Sequence, residues 1–320
     1  MGRGRFKSKR IIKCCNVAGI VILVVLLSQT MIQFVQFLTY DEPLPINESY
    51  HYPIDLQKEP CDKSGMTLLT VVTSAPMNVL NREVIRETWG RAMKESKSMN
   101  IIFFLGKGAN DTAEEIIQNE SELFGDIVQG DFLDSYRNLS LKGLHFMEWT
   151  LRNCSHIKWI LKADDDVMIN PYSFHKFLQR RKRRDTSIHG LIIKNGTVRR
   201  DLDDKWYTTE LEFSEPNYPS YCQGTTYLLS ARTIRRLLEV QRQDPKPPFV
   251  WEDIYFTGIL AKQAHVKLSG MNSMIRLDYH PPIRKGWYFV GTHNLSQANL
   301  KNGSQIIWNS MRNYTSLPTI

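Results

Sequence analysis

The chain has 320 residues, of which 42% are hydrophobic and 23% are charged, so it can bury a sizeable core. This composition excludes a protein that is disordered throughout. The formal net charge of +8 comes mostly from six basic residues near the N-terminus, which gives little support for nucleic-acid binding. These residues are Arg3, Arg5, Lys7, Lys9, Arg10 and Lys13.

The first long segment, residues 14–40, is uncharged and largely aliphatic. A helix of this length can cross about 30 Å of hydrocarbon. Because basic residues precede it and acidic residues follow it, we expect a type II orientation. A cleaved signal peptide is the alternative, but residues 27–30 form a poor small-residue cleavage site. The sequence therefore predicts a cytoplasmic tail over 1–13 and a transmembrane anchor over 14–40.

The rest of the chain divides into a short linker and one large domain. Residues 41–64 are polar and rich in proline, which predicts a lumenal stem. From residue 65 to residue 320, β-rich runs alternate with helical segments, the pattern of an α/β domain with a mostly parallel sheet. The expected strands cover 67–73, 101–105, 126–128, 159–162 and 225–230, and the expected helices cover 82–93, 139–153 and a basic segment through 237.

Three cysteines follow the predicted anchor: Cys61, Cys154 and Cys222. An odd number in an oxidising compartment predicts one disulfide and one free thiol, with the pairing left open. Frequent glycosylation sequons fit a secretory location as well.

Three consecutive carboxylates, Asp164, Asp165 and Asp166, directly follow the apolar run 157–163. In open α/β sheets, ligands collect at the carboxyl ends of strands. Adjacent carboxylates stay ionised most easily around a divalent cation, and hard oxygen ligands suit Mn²⁺ or Mg²⁺, which can bridge a diphosphate. Alternation along an extended chain should separate Asp165 from the other two. A solvated acidic turn or a helix cap is the alternative, and the preceding strand favours the metal site.

A second acidic pair, Glu252 and Asp253, stands before residues with helical spacing. A helix start favours a carboxylate, and one carboxylate suffices as a general base. The pair could equally cap the helix, and spacing alone does not separate the two hypotheses.

Several other residues are candidates for binding or for packing. Arg82 and Arg86 share one helical face, so Arg86, with Lys142, is a candidate cation for a diphosphate, although both arginines could be surface charges. We expect Trp89 to pack in the core.

Gly224 offers a close approach of the backbone to a ligand, a task for a residue without a Cβ atom. Tyr221 and Tyr227, in the same segment, are candidate contacts to sugar rings. A plain strand with a bulge explains the same residues.

The strongest signal is a set of six sequence blocks in a fixed order. They are REVIRETWG from Arg82, FFLG from Phe103, GDFLDSYRNLSLK from Gly130, LKADDDVMIN from Leu161, YPSYCQGTTYLLS from Tyr218 and EDIYFTG from Glu252. On these blocks the chain, over roughly residues 65–310, resembles glycosyltransferase family 31, the β-1,3-galactosyl- and β-1,3-N-acetylglucosaminyltransferases. One extra residue before Gly258 favours an invertebrate member.

The resemblance implies a GT-A type fold, a UDP-sugar donor, a Mn²⁺ ion and inversion at the anomeric carbon. By similarity, Asp253 is the general base and Asp166 is a direct metal ligand. Asp164 and Asp165 would contact the ribose or position the site. His293 would complete the metal site, with His280 as the other candidate.

The resemblance also implies a cellular setting and substrates: a single-pass type II protein of the Golgi membrane that acts on a glycan of a glycoprotein or glycolipid. The block from Tyr218 favours galactose as the transferred sugar. N-acetylglucosamine, N-acetylgalactosamine and a catalytically silent sugar-binding relative remain alternatives. In this family branch a cysteine is common at the position of Cys222, which suggests Cys154 as its disulfide partner.

Overall fold

The structure is a computed structural model that describes residues 49–181, 185–244, 246–277, 289–291, 295 and 297–313. All of them belong to one compact unit that begins at Ile46. The predicted anchor over 14–40 lies outside the described residues. Within them, no helix combines the length and the apolar character that a membrane span requires.

The described residues form ten strands and seven main helices. The strands are β1 (Leu68–Thr73), β2 (Met99–Lys107), β3 (Ile127–Leu133), β4 (Trp159–Asp164), β5 (Val167–Ile169), β6 (Ile188–Ile193), β7 (Tyr221–Ser230), β8 (Leu268–Gly270), β9 (Ile275–Arg276) and β10 (Phe289–Gly291). The helices are α1 (Val79–Glu87), α2 (Trp89–Glu95), α3 (Asp111–Phe124), α4 (Leu139–Cys154), α5 (Pro171–Gln179), α6 (Ala231–Gln243) and α7 (Gln297–Asn313). Short 3₁₀ turns cover Glu59–Cys61 and Tyr136–Asn138. A π-helical segment covers Ile254–Leu260 and is followed by one α-helical turn, Ala261–Gln263.

A seven-stranded mixed sheet organises the described residues, in the order β3-β2-β1-β4-β7-β6-β8. Strands β3, β2, β1 and β4 pair in parallel, whereas β7 pairs antiparallel with both β4 and β6. A smaller sheet joins β5, β10 and β9. The predicted α/β class and the mostly parallel sheet are therefore confirmed.

The central strands are apolar along their whole length because both faces of the sheet are covered. All residues of β1 except the last are buried, and so are nearly all residues of β2 and β4. Trp89, Trp149 and Trp159 are among the largest fully buried side chains. The predicted core position of Trp89 is confirmed.

The helix expected over 82–93 is in fact two helices, α1 and α2, which meet at Thr88. The backbone of Thr88 is not helical, with φ −114° and ψ −114°. Its hydroxyl donates to the carbonyl of Val84 at 2.6 Å, a local bond that competes with the helical pattern. Apolar periodicity does not reveal such a break.

The compact unit begins earlier than the predicted boundary at residue 65. Ile54 forms a β-bridge with Gln129 on the edge strand β3. The backbone N–H of Gln129 donates to the carbonyl of Ile54 at 2.9 Å. Tyr52 is buried and donates to the carbonyl of His145 at 2.9 Å. Part of the predicted stem, residues 41–64, thus covers a sheet edge that would otherwise expose unpaired backbone groups.

One disulfide joins Cys61 to Cys154, and Cys222 is a buried free thiol. The predicted count of one disulfide and one thiol is confirmed, but the pairing of Cys154 with Cys222 is wrong. Cys61 lies in the 3₁₀ turn next to the end of α4, whereas Cys222 lies inside the sheet on β7. Burial raises the pKa of the Cys222 thiol to about 12.

Candidate active site

The three consecutive carboxylates occupy the turn between β4 and β5. Asp164 is the last residue of β4, and Asp165 and Asp166 form the turn itself. All three are half-buried, directly after the fully buried residues at the end of the strand. The acidic residues therefore lie at the carboxyl end of a central strand, as the sequence predicts.

Asp164 and Asp165 are held by different groups. The Asp164 carboxylate accepts from the hydroxyl of Thr73 at 3.2 Å. Asp165 instead accepts from the hydroxyl of Ser74 at 2.5 Å and from the side-chain amide of Asn78 at 2.9 Å, at the start of α1. Burial raises the pKa of Asp165, and these two hydrogen bonds oppose part of the rise. The two carboxylates are separated, in agreement with strand alternation.

A cavity of about 630 Å³ opens beside Asp164, on the side of β4 and β7 that faces the segment 251–254. Polar and aromatic side chains dominate its wall. Those that the following argument uses are Thr73, Tyr136, Lys142, Lys162, Asp164, Trp206, Tyr221, Gly224, Trp251, Glu252 and Asp253. A wall of this composition suits a polar ligand with several hydroxyl groups.

Asp253 lies at the wall of this cavity, just before the π-helical segment. Its Oδ1 accepts from the N–H of Ile254 at 2.8 Å, so it does cap the helix. Burial raises the pKa of Asp253 to about 6, partly opposed by this hydrogen bond and by the ammonium of Lys162. A carboxylate with this pKa is ionised at neutral pH and remains basic enough to accept a proton. Capping and general-base function are thus compatible.

Gly224 on β7 faces Asp253 directly. A Cβ atom at position 224 would lie 3.3 Å from both the Cβ and the Oδ2 of Asp253, tighter than an ordinary contact. The missing side chain leaves room beside the Asp253 carboxylate, while the close approach of this backbone to a ligand stays a prediction.

Lys162 connects the two acidic groups. Its ammonium donates to Asp164 at 2.5 Å and to the carbonyl of Gly224 at 2.6 Å, and it lies 3.8 Å from Oε2 of Glu252. Although burial lowers the pKa of Lys162, the neighbouring carboxylates raise it by more, so the side chain stays charged. One buried cation therefore links the acidic turn of β4 to the acidic pair that contains Asp253.

Glu252 completes this network. The hydroxyl of Tyr227 donates to its carboxylate, and burial raises the pKa of Glu252 to about 7. Tyr227 is only 1% exposed, so it does not contact sugar rings, and that hypothesis is wrong. Tyr221 does line the cavity.

The sequence interpretation overlooked Lys162, although a signal was present. Lys162 precedes Asp164 by two residues, and side chains two apart on a strand point to the same face. That alternation places a cation beside the first carboxylate. The contact with Glu252, by contrast, depends on a segment 90 residues further along the chain.

Lys142, a candidate cation for a diphosphate, lines the cavity. Its buried ammonium pairs with Asp134 at 2.8 Å and donates to the carbonyl of Ser74 at 2.8 Å. Burial lowers its pKa, and the Asp134 carboxylate opposes this shift. Through Ser74, Lys142 also supports the group that holds Asp165.

Arg86 lies away from these residues and lines a different cavity of about 360 Å³. Its guanidinium pairs with Glu120 and Asp126, each at 2.7 Å, and stacks 4.0 Å from the ring centroid of Phe124. The structure therefore does not bring Arg86 together with the acidic turn. The four-residue spacing of Arg82 and Arg86 correctly predicts that they share a face of the helix. It does not predict which part of the protein packs against that face.

Arg82, on the same helix, is not a surface charge. It is fully buried and forms a two-point ion pair with Glu120. It also donates to the hydroxyl of Ser74 at 2.9 Å, the group that bonds Asp165. Arg82 therefore supports the acidic turn through Ser74, and it does not line the cavity.

The structure describes only the carboxylates of the predicted metal site, because His293 and its alternative His280 lie outside the described residues. Among the residues that the structure describes, no three His, Cys, Asp or Glu side chains cluster in a metal-binding arrangement. The turn does supply carboxylate oxygens, the ligand type that Mn²⁺ or Mg²⁺ takes. The donor chemistry of Asp164, Asp165 and Asp166 thus fits a hard divalent cation.

Comparison with known proteins gives a consistent result. A family model described as galactosyltransferase matches residues 80–272. UDP-GlcNAc:betaGal beta-1,3-N-acetylglucosaminyltransferase 7 of Rattus norvegicus is 32% identical over 212 residues, which is 64% of this chain and 52% of that protein. Beta-1,3-galactosyltransferase 1 of Homo sapiens is 35% identical over 192 residues, 58% of each chain. Beta-1,3-galactosyltransferase 5 of Homo sapiens is 28% identical over 214 residues, 67% of this chain and 68% of that protein.

The matched regions span little more than half the length of the first two relatives. The family model, over residues 80–272, covers both the acidic turn and Asp253. Among solved structures, galactosyltransferase LgtC in complex with donor and acceptor sugar analogues aligns with a TM-score of 0.39 at 11% identity. That alignment covers 78% of this chain and 97% of the other.

Proposed function

Because the chain belongs to the galactosyltransferase family, we propose that it transfers a hexose from a UDP-sugar to a hydroxyl group of a glycan, with Asp253 as the general base. The observation that carries this proposal is the position of Asp253: its carboxylate lines the same cavity as Asp164 and has a pKa raised to about 6. An α/β domain with these residues is compatible with a GT-A type fold.

The reaction follows from the acid pair and the geometry of an inverting transfer. The ionised Asp253 carboxylate accepts the proton of the acceptor hydroxyl while the acceptor oxygen bonds to the anomeric carbon. The bond between that carbon and the diphosphate oxygen breaks on the opposite face, and UDP leaves with the electron pair. Half-buried at the wall, Asp253 meets the acceptor, and the helix start favours its charged form.

The donor binds towards the acidic turn. Asp164 and Asp165 are proposed to contact the ribose or fix the turn, and Gly224 leaves room for the sugar. Lys142 supplies positive charge near the diphosphate. When bound, Mn²⁺ would stabilise the charge that develops on the departing diphosphate. Asp166 is its proposed ligand, together with His293.

The contacts of Arg86 support a role in donor binding less than its position in the sequence does. The structure pairs its charge with Glu120 and Asp126, and it lines a separate cavity. A role for Arg86 in orienting α1, and through α1 the Asn78 that bonds Asp165, agrees better with these contacts.

The transferred sugar is proposed to be galactose and the linkage β-1,3, since the block from Tyr218 favours this branch and two of the three compared relatives carry galactosyltransferase in their names. The rat relative is named for N-acetylglucosamine, so transfer of that sugar is the second candidate. N-acetylgalactosamine is a third. A catalytically silent relative is disfavoured because Asp166 and Asp253 are both present.

The proposed setting is the Golgi membrane, with the catalytic unit in the lumen and a glycoprotein or glycolipid as acceptor. Its support is the uncharged segment 14–40 with basic residues before it, and the disulfide between Cys61 and Cys154, which requires an oxidising compartment.

A donor panel tests this function. Purified protein with Mn²⁺ should release UDP from one UDP-sugar in the presence of a glycan acceptor, and linkage analysis of the product should show a β-1,3 bond. Asp253→Asn should lower transfer at least 100-fold and leave UDP affinity within about twofold, because it removes only the base. Asp111→Asn, an exposed acidic residue of α3, is the matched control. Equal loss of transfer and of UDP binding in Asp253→Asn would contradict the base role.

A further inference from the structure

Three aromatic side chains form a continuous wall from the acid pair to the rim of the cavity. We name Trp251, Tyr136 and Trp206 the aromatic wall. Trp251 directly precedes Glu252, and its ring centroid lies 5.9 Å from that of Tyr136. The indole N–H of Trp206 donates to the Tyr136 hydroxyl at 3.0 Å. All three residues line the cavity that contains Asp253.

The wall becomes more exposed towards the rim. Trp251 is 5% exposed, whereas Tyr136 is 44% and Trp206 is 50% exposed. Large aromatic faces left in water next to a polar cavity are typical of a binding surface. Sugar rings offer apolar C–H faces, and aromatic side chains combine an apolar face with a polar group, so the chemistry of the wall matches a carbohydrate.

The loop that carries Trp206 is anchored to the catalytic segment. The indole N–H of Trp251 donates to the hydroxyl of Thr208 at 2.7 Å. Arg200 donates to the carbonyls of Thr208 at 2.7 Å and of Phe213 at 2.6 Å. These bonds hold the loop in place before a ligand arrives, which lowers the entropic cost of binding.

A cation lies against the outer part of the wall. The Lys205 ammonium is 4.4 Å from the ring centroid of Tyr136 and 5.7 Å from that of Trp206. Besides its attraction to the rings, an ammonium supplies N–H donors for sugar hydroxyl oxygens. Stacking faces and hydrogen-bond donors are thus present together.

The aromatic wall and the proposed base adjoin each other in the same cavity. Trp251 is followed directly by Glu252 and Asp253, and all three line the cavity that Asp164 also lines. The ammonium of Lys162 contacts Asp164 and lies 3.8 Å from Glu252. An acceptor on the wall therefore shares one cavity with the base and with the acidic turn.

We propose that the aromatic wall is a second acceptor subsite, which binds the sugar next to the one that Asp253 deprotonates. The acceptor is then an oligosaccharide of at least two sugars, with the inner sugar stacked on Tyr136 and Trp206. This inference rests on the proposed transferase function, and it specifies the minimum length of the acceptor.

The test compares acceptors of different length. Methyl β-N-acetylglucosaminide and methyl β-galactoside are each compared with a disaccharide methyl glycoside that ends in the same sugar. With UDP-galactose as donor, Trp206→Ala should raise the KM for the disaccharide about five- to tenfold, the size of a lost aromatic contact. The KM for the monosaccharide and for UDP-galactose should change by less than twofold.

Leu211→Ala is the matched control, since Leu211 is fully exposed on the same loop and is not part of the cavity wall. Trp206→Phe keeps an aromatic face and should retain most of the affinity. An equal rise of KM for both acceptor lengths, or a rise confined to UDP-galactose, would overturn the proposal.

Calorimetric titration of the same disaccharides into Asp253→Asn protein separates this inference from the proposed function, because it requires no turnover. Weaker binding to Asp253→Asn/Trp206→Ala than to Asp253→Asn supports the subsite even if no UDP-sugar is consumed. Unchanged binding overturns the subsite even if transfer is observed.

Discussion

At the scale of single residues, the candidate site depends on three charged groups around one lysine. Lys162 contacts Asp164, lies 3.8 Å from Glu252 and lowers the pKa of Asp253 by its charge. Burial acts in the opposite direction and raises the pKa of Glu252 and Asp253 to about 7 and about 6. The charge of Lys162 therefore keeps the base ionised near neutral pH.

The first residue-scale prediction concerns the pH dependence of transfer. kcat/KM should rise with pH through about 6, because only the ionised Asp253 accepts a proton. Lys162→Met removes the opposing cation, so the rise should move to higher pH, by about one unit, with a loss of kcat of at least tenfold. Lys162→Arg should keep the midpoint closer to the original value.

Lys158→Met, the same change just before β4, is the control for this experiment, since Lys158 does not line the cavity. Initial rates between pH 5 and 8 at saturating donor provide the measurement. If the midpoint of Lys162→Met stayed at the original pH while only the rate fell, the electrostatic role of Lys162 would be refuted.

The second residue-scale prediction concerns stability. The pKa of Asp253 is about 6 in the folded protein and 3.8 without the fold, so ionisation costs the folded state up to about 3 kcal/mol. The folded protein avoids this cost below about pH 4, where the Asp253 carboxyl is protonated in both the folded and the unfolded state. The free energy of unfolding then falls as the pH rises through about 6. Asp253→Asn should therefore be about 1–3 kcal/mol more stable than the original protein at pH 8 and nearly equal at pH 4.

Chemical unfolding at the two pH values measures this difference. Asp111→Asn, the same change at an exposed position, is the matched control for this measurement. A gain of the same size at both pH values would trace the effect of Asp253→Asn to packing and not to the cost of ionisation.

At the scale of elements, the position of Asp253 depends on how the π-helical segment Ile254–Leu260 packs on α4. Phe256 of that segment lies against Gly143 of α4, where a Cβ atom would come within 2.2 Å of the Phe256 ring. The hydroxyl of Thr257 donates to the carbonyl of Asp253 at 2.5 Å and also receives the N–H of Cys222 on β7. The helix start that carries the base is thus fixed from two sides.

The element-scale prediction uses this contact. Gly143→Ala should destabilise the protein by about 1–3 kcal/mol, because the added methyl group forces the two elements apart. It should also lower kcat, since Asp253 moves with the segment. Gly143→Ala/Phe256→Leu provides space for the methyl group and should recover part of both losses.

Thermal unfolding and initial rates of the two single variants and the double variant provide the measurement. Additive losses in the double variant would show that the two positions do not interact and that α4 does not position the base through Phe256.

At the scale of the whole molecule, the segment before β1 belongs to the catalytic unit. It covers the edge of β3 through Ile54, buries Tyr52 and joins α4 through the disulfide between Cys61 and Cys154. The two cysteines are 93 residues apart, a long loop whose closure restricts the unfolded chain. A stem that only spaced the domain from a membrane would need none of these contacts.

The molecule-scale prediction compares two truncations. A chain that starts at residue 49 keeps these contacts and should fold with the stability of the compact unit in the full chain. A chain that starts at residue 65 loses the disulfide and exposes the edge of β3, so it should be less stable by at least about 2–5 kcal/mol and should aggregate.

Cys61→Ser in the longer chain separates the two causes, since it removes the disulfide alone. Urea unfolding and size-exclusion chromatography measure stability and aggregation. Equal stability of the two truncations would show that residues 49–64 are a spacer after all.

Local patterns were sufficient for five of the seven strands of the main sheet, and β6 and β8 were missed. The five strands and α4 were predicted from apolar runs and helical spacing because each of these signals lies within a few adjacent residues. The carboxyl end of β4 was identified as the site because a buried strand that runs into three carboxylates is itself a local pattern. The break at Thr88 was missed because apolar periodicity does not reveal it. The placement of Arg86 was missed because it depends on contacts with Glu120 and Asp126, which lie more than 30 residues further along the chain.

The sequence by itself determined the class of the fold, the acidic turn at Asp164 to Asp166 and the candidacy of Asp253, since each is written in consecutive residues. Only the tertiary structure decided which groups meet: Lys162 with Glu252, Gly224 with Asp253, Cys61 with Cys154 and Arg86 with Asp126. These contacts join residues 40 to 93 positions apart, or 29 in the case of Gly224, and their pairing follows from the order of strands and the packing of helices. Burial, which raises the pKa of Asp253, is likewise a property of the folded chain alone.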